Sequence, residues 1–543
     1  MGKMKRVLAF ALVVVLALGL LASCNKDNGT SSPTASGSAP SGSAGSSCGA
    51  GGSSPAASGG NGGGDPAAPR DTTLIIGVTD APTPVNPTMT AAGYMENMIF
   101  EALIGLDPRT GEYMPLLAES WEWLDNVTLK LNLRQDAYFT NGEHFVSSDA
   151  LFSLQEKAKD LVARFSTYDW DNCSTPDDYT LILKFDPEYG PALAFLTQWK
   201  MMSQSWFESA TADDFMYQPN GTGPYTITEH VSGSHCTFVR KDSGQYWGVL
   251  PEPTEVTYRY YAERSTMYID FESGALDAAF NLTASDAARV LAGNAPAGTE
   301  YRLGSLQDVL KFILCENIPI WDDIRVREAF MISVDWDAVA QAVYGVLYIP
   351  GTSAFPSDVR FYTNVGKYEY NPERARELMR DAGLEGQRIQ LRHICTPGND
   401  VIAEAVQASV RELGFDMTIE MYDVPTAIPM LREGLSDFVT VQGAGASAVV
   451  DPDMFMNTLA PNSTLLPARF TSPEYVEWYT QSLRNDPNAR ASAYAEIQRF
   501  FMREFRIANV AERAALAVWN SNKIAEYPSH RADDATTLWV RFA

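Results

Sequence analysis

Between residues 388 and 443 the chain runs strand, helix, strand, helix, strand, an order that few folds accommodate. RIQLRHI (388–394) alternates apolar and polar residues as a strand does. Asp400 then stands at a helix N-cap, Ile402, Ala405, Val406, Val410 and Leu413 share one helical face, and Gly414 ends the helix. MTIEMYDV (417–424) is the next strand. Strand, helix and strand in succession imply parallel strands joined by a right-handed crossover. A further helix near Thr426–Glu433 leads into DFVTVQG (437–443), which is expected to extend the same parallel sheet. Upstream, Asn371 at an N-cap, Pro372 at the first helical position, an apolar face of Ala375, Leu378, Met379 and Ala382, and Gly383 at the C-terminal cap predict another helix.

The region before residue 300 has a different texture. TLIIGVTD (73–80), TLKLNL (128–133), YTLILKF (179–185), HCTFVRK (235–241) and TEVTYRYY (254–261) are strand-like, and helical signals are few. The body is therefore expected to be α/β, with a β-rich first lobe and an α/β second lobe. In open parallel sheets ligands bind beyond the carboxyl ends of the strands. That rule selects the segment after 437–443, with Gln442, Gly443, Ala444, Gly445, Ala448 and Asp451 as candidates, the two glycines permitting close backbone approach.

Ahead of the body, Lys3, Lys5 and Arg6 precede an apolar run from Val7 to Leu21, followed by Leu21-Ala22-Ser23-Cys24. At 15 residues the run is short of the ~20 needed to span a bilayer, so residues 1–23 are an export signal. The ending resembles a bacterial lipobox, which implies that Cys24 becomes the mature N-terminus and carries a diacylglycerol lipid, the one non-protein group expected. From Asn25 to Thr72 the chain is Gly, Ser, Ala and Pro with almost no large apolar residue, so residues 24–72 form a lipidated flexible tether with a reach of roughly 40 Å.

Charge and motifs exclude several functions. A formal net charge of −26 leaves no basic surplus for phosphate backbones, so nucleic acid is not a partner. No G-x-S-x-G, H-E-x-x-H or P-loop pattern occurs, which argues against an enzyme, although an exported glycoside hydrolase using paired carboxylates is not excluded by counting. Cys173, Cys236, Cys315 and Cys395 lack zinc-like spacing; they are either free thiols or disulfides, with Cys173 and Cys236 the first pair to test.

Ordered motifs along the body carry a family resemblance. Ala102-Leu103-Ile104-Gly105-Leu106-Asp107-Pro108 with Thr110-Gly111-Glu112, then Pro115-Leu116-Leu117-Ala118-Glu119-Ser120-Trp121, then Asn141-Gly142-Glu143 with Ser148-Asp149-Ala150, are succeeded by Gly221-Thr222-Gly223-Pro224-Tyr225, Tyr246-Trp247, Asp323 to Ala329, Asn371-Pro372 and Asp451-Pro452. Over about residues 72 to 525 the chain resembles the family 5 extracellular solute-binding proteins, the oligopeptide and dipeptide receptors of ABC importers. The resemblance implies a two-lobed periplasmic-binding-protein-like fold, type II and cluster C-like, joined by a hinge. Lobe I comprises 73–305 plus 512–543, with an inserted subdomain about 116–205, and lobe II comprises 306–511. The chain crosses between lobes near Ser305 to Ile313 and near Arg506 to Ala515. It implies a monomer that captures a short peptide or another small solute, metal complex or saccharide included, and passes it to ABC permease subunits from the outer face of the cell membrane.

Asp107, Gly111, Glu119, Trp121 and Arg327 are expected to be scaffold, and Asn86 and Trp247 join the loop residues as ligand contacts. Peptide receptors of the family place an Asp three residues before the Asp-Pro pair, where it meets the peptide α-ammonium. Here that position is Ala448, so the resemblance implies that the usual ammonium anchor is missing, unless Asp451 or Asp453 takes its place. Cys24→Ala removes the attachment point and is expected to release the protein in soluble form. Retention of that variant in the detergent-extractable membrane fraction contradicts the lipobox reading.

Overall fold

A computed structural model describes residues 72–79, 94–107, 110–160, 165–316, 318–441, 451–461, 463, 470–527 and 537–543. Among these, nine strands form one mixed sheet that passes through both lobes. Phe438–Val441 lies beside Thr299–Leu314, which pairs with Ile507–Asn520; Ala278–Ala279, Thr73–Val78, Glu255–Tyr260, His235–Arg240 and Tyr225–Val231 follow in that order. Tyr348–Pro350 adds to the other side of Ile507–Asn520 at its start. Thr73–Val78 runs parallel to both its neighbours, and every other pairing is antiparallel.

The two long strands, Thr299–Leu314 and Ile507–Asn520, are where the chain changes lobe. On the later strand Ala515, Ala517 and Trp519 pack with Leu74, Ile76, Phe238 and Tyr258. Ala508, Val510 and Ala511 instead pack with Phe312, Trp321, Phe330, Val406 and Phe415. The pairing register shifts between Ser305 and Val309, so the ladder is irregular at the point where one core gives way to the other. Buried there are Glu512 and Lys311, both 0% exposed. Glu512 accepts a hydrogen bond from the Ser357 hydroxyl at 2.7 Å, and Lys311 donates to the Val309 carbonyl at 3.3 Å. Burial raises the Glu512 carboxyl above its usual range, with the Ser357 bond opposing.

A second sheet orders Ala118–Asp125, Thr128–Leu133, Thr180–Lys184 and Ser174–Asp177, backed by the helix Ser147–Asp160 around Leu129, Leu131, Leu181, Leu183 and Phe195. In the second lobe the expected crossover unit forms: Ile389–Cys395 and Phe415–Met421 pair in parallel, and the helix Asp400–Arg411 buries Ile402, Val406 and Val410, with Ala403 inward where Ala405 was expected. The strand at 438–441 departs from expectation. It does not extend the parallel pair but joins the large sheet, antiparallel to Thr299–Leu314, and meets the pair through side chains and at its approach, where Asp437 receives the Arg392 amide at 2.6 Å. An alternating segment states that it is a strand and leaves its partner open. The helix Pro372–Asp381 has Asn371 as its cap, and all four body cysteines are free thiols, so the Cys173 to Cys236 bridge is not made.

His393 sits in the middle of the second-lobe core at 0% exposure, stacked on Phe438 at 4.6 Å with Phe312 at 5.8 Å. Burial pulls its imidazole down to about 4. The unfolded chain therefore binds a proton between pH ~6.5 and ~4 that the folded chain does not, and stability falls as pH drops through that window, by about 3 kcal/mol for this one group. Denaturant titrations at pH 7 and pH 4 are expected to show a smaller loss for His393→Gln than for the natural chain.

Candidate functional site

The hairpin of Ile104–Leu106 and Tyr113–Pro115 turns at Gly111, whose φ of +71° suits glycine, with the Gly111 amide on the Asp107 carbonyl at 2.8 Å. Asp107 and Gly111 thus build the turn. What the turn delivers is the Tyr113 phenol, within electrostatic reach of three second-lobe groups, Arg360, Asp451 and Arg490. Burial and the Asp451 charge push its phenol up to about 12, while the two guanidinium groups oppose, Arg360 by hydrogen bond as well as charge. Side chains of both lobes therefore meet at this point.

On the second-lobe side the polar centre is the Asp451–Arg490 pair, 2.7 Å apart with side chains 1% and 6% exposed. Arg490 also donates from Nε to the Ser482 carbonyl at 2.8 Å and lies 5.1 Å from the Phe361 ring centroid. Burial disfavours its charge, and Asp451 more than offsets that, leaving the guanidinium above its ordinary range. Phe361 holds a φ of +63°, a conformation costing on the order of 1–3 kcal/mol for a side chain of this size. It is kept there by the Gln498 amide on its carbonyl at 2.8 Å and by stacking on Tyr494 at 5.4 Å. Arg360 next to it is exposed and is not ion-paired with any carboxylate among the described residues.

The sequence-predicted contacts divide. Asp451 is in this cluster, where its Oδ1 accepts from Arg490 at 2.7 Å and from the Asp453 amide at 3.0 Å, while its buried Oδ2 has no hydrogen-bond partner among the described residues. Asp453 likewise takes the Tyr189 hydroxyl at 2.7 Å. Trp247 does not join the cluster. Its indole N–H donates to Glu101 at 2.8 Å beside the Tyr246 hydroxyl at 2.9 Å, and its face carries the Arg134 guanidinium at 3.8 Å. Glu101 is buried, which raises its carboxyl against those two bonds and the Lys241 charge; Lys241 is itself lowered to about 8 by burial. This arrangement gives Trp247 a fixed, partly exposed position rather than a free edge. Gly221 and Gly223 fit the same region because a Cβ on either would lie 2.1 or 2.7 Å from the Ile99 carbonyl oxygen. Asn86, Gln442, Gly443, Ala444, Gly445 and Ala448 lie outside the described residues.

Tyr113, Arg360 and Arg490 were not singled out in the sequence. Each looks like an ordinary surface residue, and the only local signal is that Tyr113 follows the turn motif Thr110-Gly111-Glu112 directly.

Comparison with known proteins adds the family. Residues 112–464 match the model described as bacterial extracellular solute-binding proteins, family 5 Middle. A putative ABC transporter peptide-binding protein of Brucella ovis is 24% identical over 380 residues, covering 65% of this chain and 69% of its own. Two solved structures share the fold, each with a TM-score of 0.74 over 87% of this chain. One is the periplasmic binding protein DppA of Helicobacter pylori in complex with the peptide STSA, 19% identical and covered over 98% of its length. The other is NikA of Brucella suis in complex with Fe(III)-EDTA, 23% identical and covered over 100%.

Removing the charge from one side of a buried pair leaves the other uncompensated, which costs about 3–5 kcal/mol. Asp451→Asn is therefore expected to lower the unfolding free energy by that amount in a chemical denaturation curve. A loss below about 1 kcal/mol indicates that Arg490 finds another anion.

Proposed function

We propose, from the premise that this chain belongs to the bacterial extracellular solute-binding proteins of family 5, that it is the receptor of an ABC importer, closing two lobes on a peptide or peptide-like solute. It delivers that solute to a membrane permease. It is a transport receptor and not an enzyme. The observation that carries the reading is a fold of two separately packed lobes joined by two long strands, with the Tyr113 phenol of the first lobe within electrostatic reach of Arg360, Asp451 and Arg490 of the second. Groups so placed sense whether the lobes are together, which is what a receptor must report. The export signal and Cys24 support a lipid-anchored monomer outside the cytoplasmic membrane, tethered by residues 24–72.

For the ligand, two features point the same way. Ala448 replaces the carboxylate that meets an α-ammonium, and Asp451 is already matched to Arg490. An ammonium brought into such a cleft loses its water and gains no anion. The solute is therefore an N-blocked or modified peptide, or a compound with no ammonium at that position; Asn86 and the 442–445 backbone remain its candidate contacts.

Mass spectrometry of material released from the purified protein tests the class directly. The expected finding is a solute without a free α-ammonium. In calorimetry, simple dipeptides and tripeptides are expected to bind poorly to the natural chain, and Ala448→Asp to improve their binding by about 1.5–3 kcal/mol. Tight binding of unmodified short peptides, lost on N-acetylation, overturns this assignment.

A further inference from the structure

Among the described residues, loop 186–190 of the inserted subdomain reaches the second lobe with several hydrogen bonds. The Tyr189 hydroxyl donates to Asp453 Oδ2 at 2.7 Å, with Tyr189 2% and Asp453 2% exposed. The Gly190 amide donates to the Leu483 carbonyl at 2.8 Å. Glu188 receives the Asn485 amide at 3.2 Å and faces the Arg484 guanidinium at 3.4 Å. The two sides belong to different cores. Tyr189 packs with Leu129 and Leu183 of the four-stranded sheet and with Phe195 of the helix Ala192–Leu196, whereas residues 483–486 join two helices, Pro473–Ser482 and Pro487–Arg503, that pack with Ile313 and Ile507.

Gly190 makes the argument sharper. A Cβ on it would lie 2.2 Å from the Arg484 carbonyl oxygen and 3.2 Å from Arg490 Cδ, both on the second lobe. Its backbone has no positive φ that would demand glycine for a local reason. The missing side chain is thus required by the approach of the other lobe.

We propose that loop 186–190 is a built-in latch: Tyr189, Gly190 and Glu188 hold the inserted subdomain against the second lobe whether or not a solute is present. Contacts between the two lobes are lost when the lobes part, so they bias the molecule toward the arrangement in which they form by their own free energy. A larger closed fraction raises the apparent affinity for any solute by the same factor. Because the device acts on the ligand-free chain, its test needs no solute and stands or falls apart from the transport reading.

The test uses the mature-length chain, stripped of bound material by reversible unfolding. Small-angle scattering gives the radius of gyration, and hydrogen exchange reads the Asn485 amide. In the natural chain that amide is expected to be protected without ligand. Gly190→Ala, which introduces a clash only when the lobes meet, is expected to raise the radius of gyration and to speed Asn485 exchange at least ten-fold. Tyr189→Phe keeps the ring in its core and removes only the bond to Asp453; it is expected to shift both readouts in the same direction, with a melting temperature close to the natural one. Two results overturn the latch: exchange of Asn485 at the rate of an open amide in the ligand-free natural chain, or an unchanged radius and exchange rate in both variants.

Discussion

The backbone ladder between Thr299–Leu314 and Ile507–Asn520 is the constraint on which the rest of this molecule rests. Buried amides and carbonyls must be paired, and nearly every residue of Ile507–Asn520 is buried. The strand is rich in alanine because neighbours crowd it from both faces, and no large side chain fits at Ala508, Ala511, Ala514, Ala515 and Ala517. One ladder therefore serves both lobes. A relative movement of the lobes has to be taken up where the ladder is already broken, between Ser305 and Val309, since elsewhere it would strand paired groups away from water. Glu512 and Lys311 at that point are costly to bury; the Ser357 bond ties Glu512 to the second lobe, and the Lys311 bond to Val309 stays within its own strand.

The cleft-facing polar groups follow a similar logic of prior commitment. Asp451 answers Arg490, Asp453 answers Tyr189, and Glu101 answers Trp247 and Tyr246. Each of these three carboxylates thus already has a partner within the protein, although Asp451 Oδ2 stays without a hydrogen bond among the described residues. Arg360, exposed beside Tyr113, keeps a charge that no described carboxylate matches. The local balance at this edge is positive even though the chain as a whole is strongly acidic. Net charge describes solubility, whereas selection of a solute depends on which charges remain unanswered at the point of contact.

Much of the scaffold was legible in the sequence because it depends on short-range periodicity. The strands near 128–133 and 235–240, the Asn371 cap and the parallel pair around the Asp400 helix all follow from spacing. What escaped depends on pairing at long range. The strand 438–441 was recognisable as a strand but not as a partner of Thr299–Leu314, more than a hundred residues earlier. The same holds for the site. Asp451 was singled out from its motif, but its commitment to Arg490 was invisible, since nothing in helix Pro487–Arg503 distinguishes that arginine from its neighbours. Tyr113 and Gly190 acquire meaning only from the opposite lobe, which no local pattern encodes.

A middle strand of the first-lobe sheet is supplied by residues 514–520, far along the chain from both its neighbours, and this bears on the order in which the sheet can form. Thr73–Val78 can pair with Glu255–Tyr260 early, but Ala278–Ala279 and Thr299–Ser305 wait for residues 514–520 to close the gap between them. Pairings at such separation fold slowly, because loop closure precedes any contact that rewards it. Until residues 514–520 arrive, Ala278–Ala279 and Thr299–Ser305 each keep an open edge, so the first-lobe sheet is completed in the same late step that ties it to the second lobe.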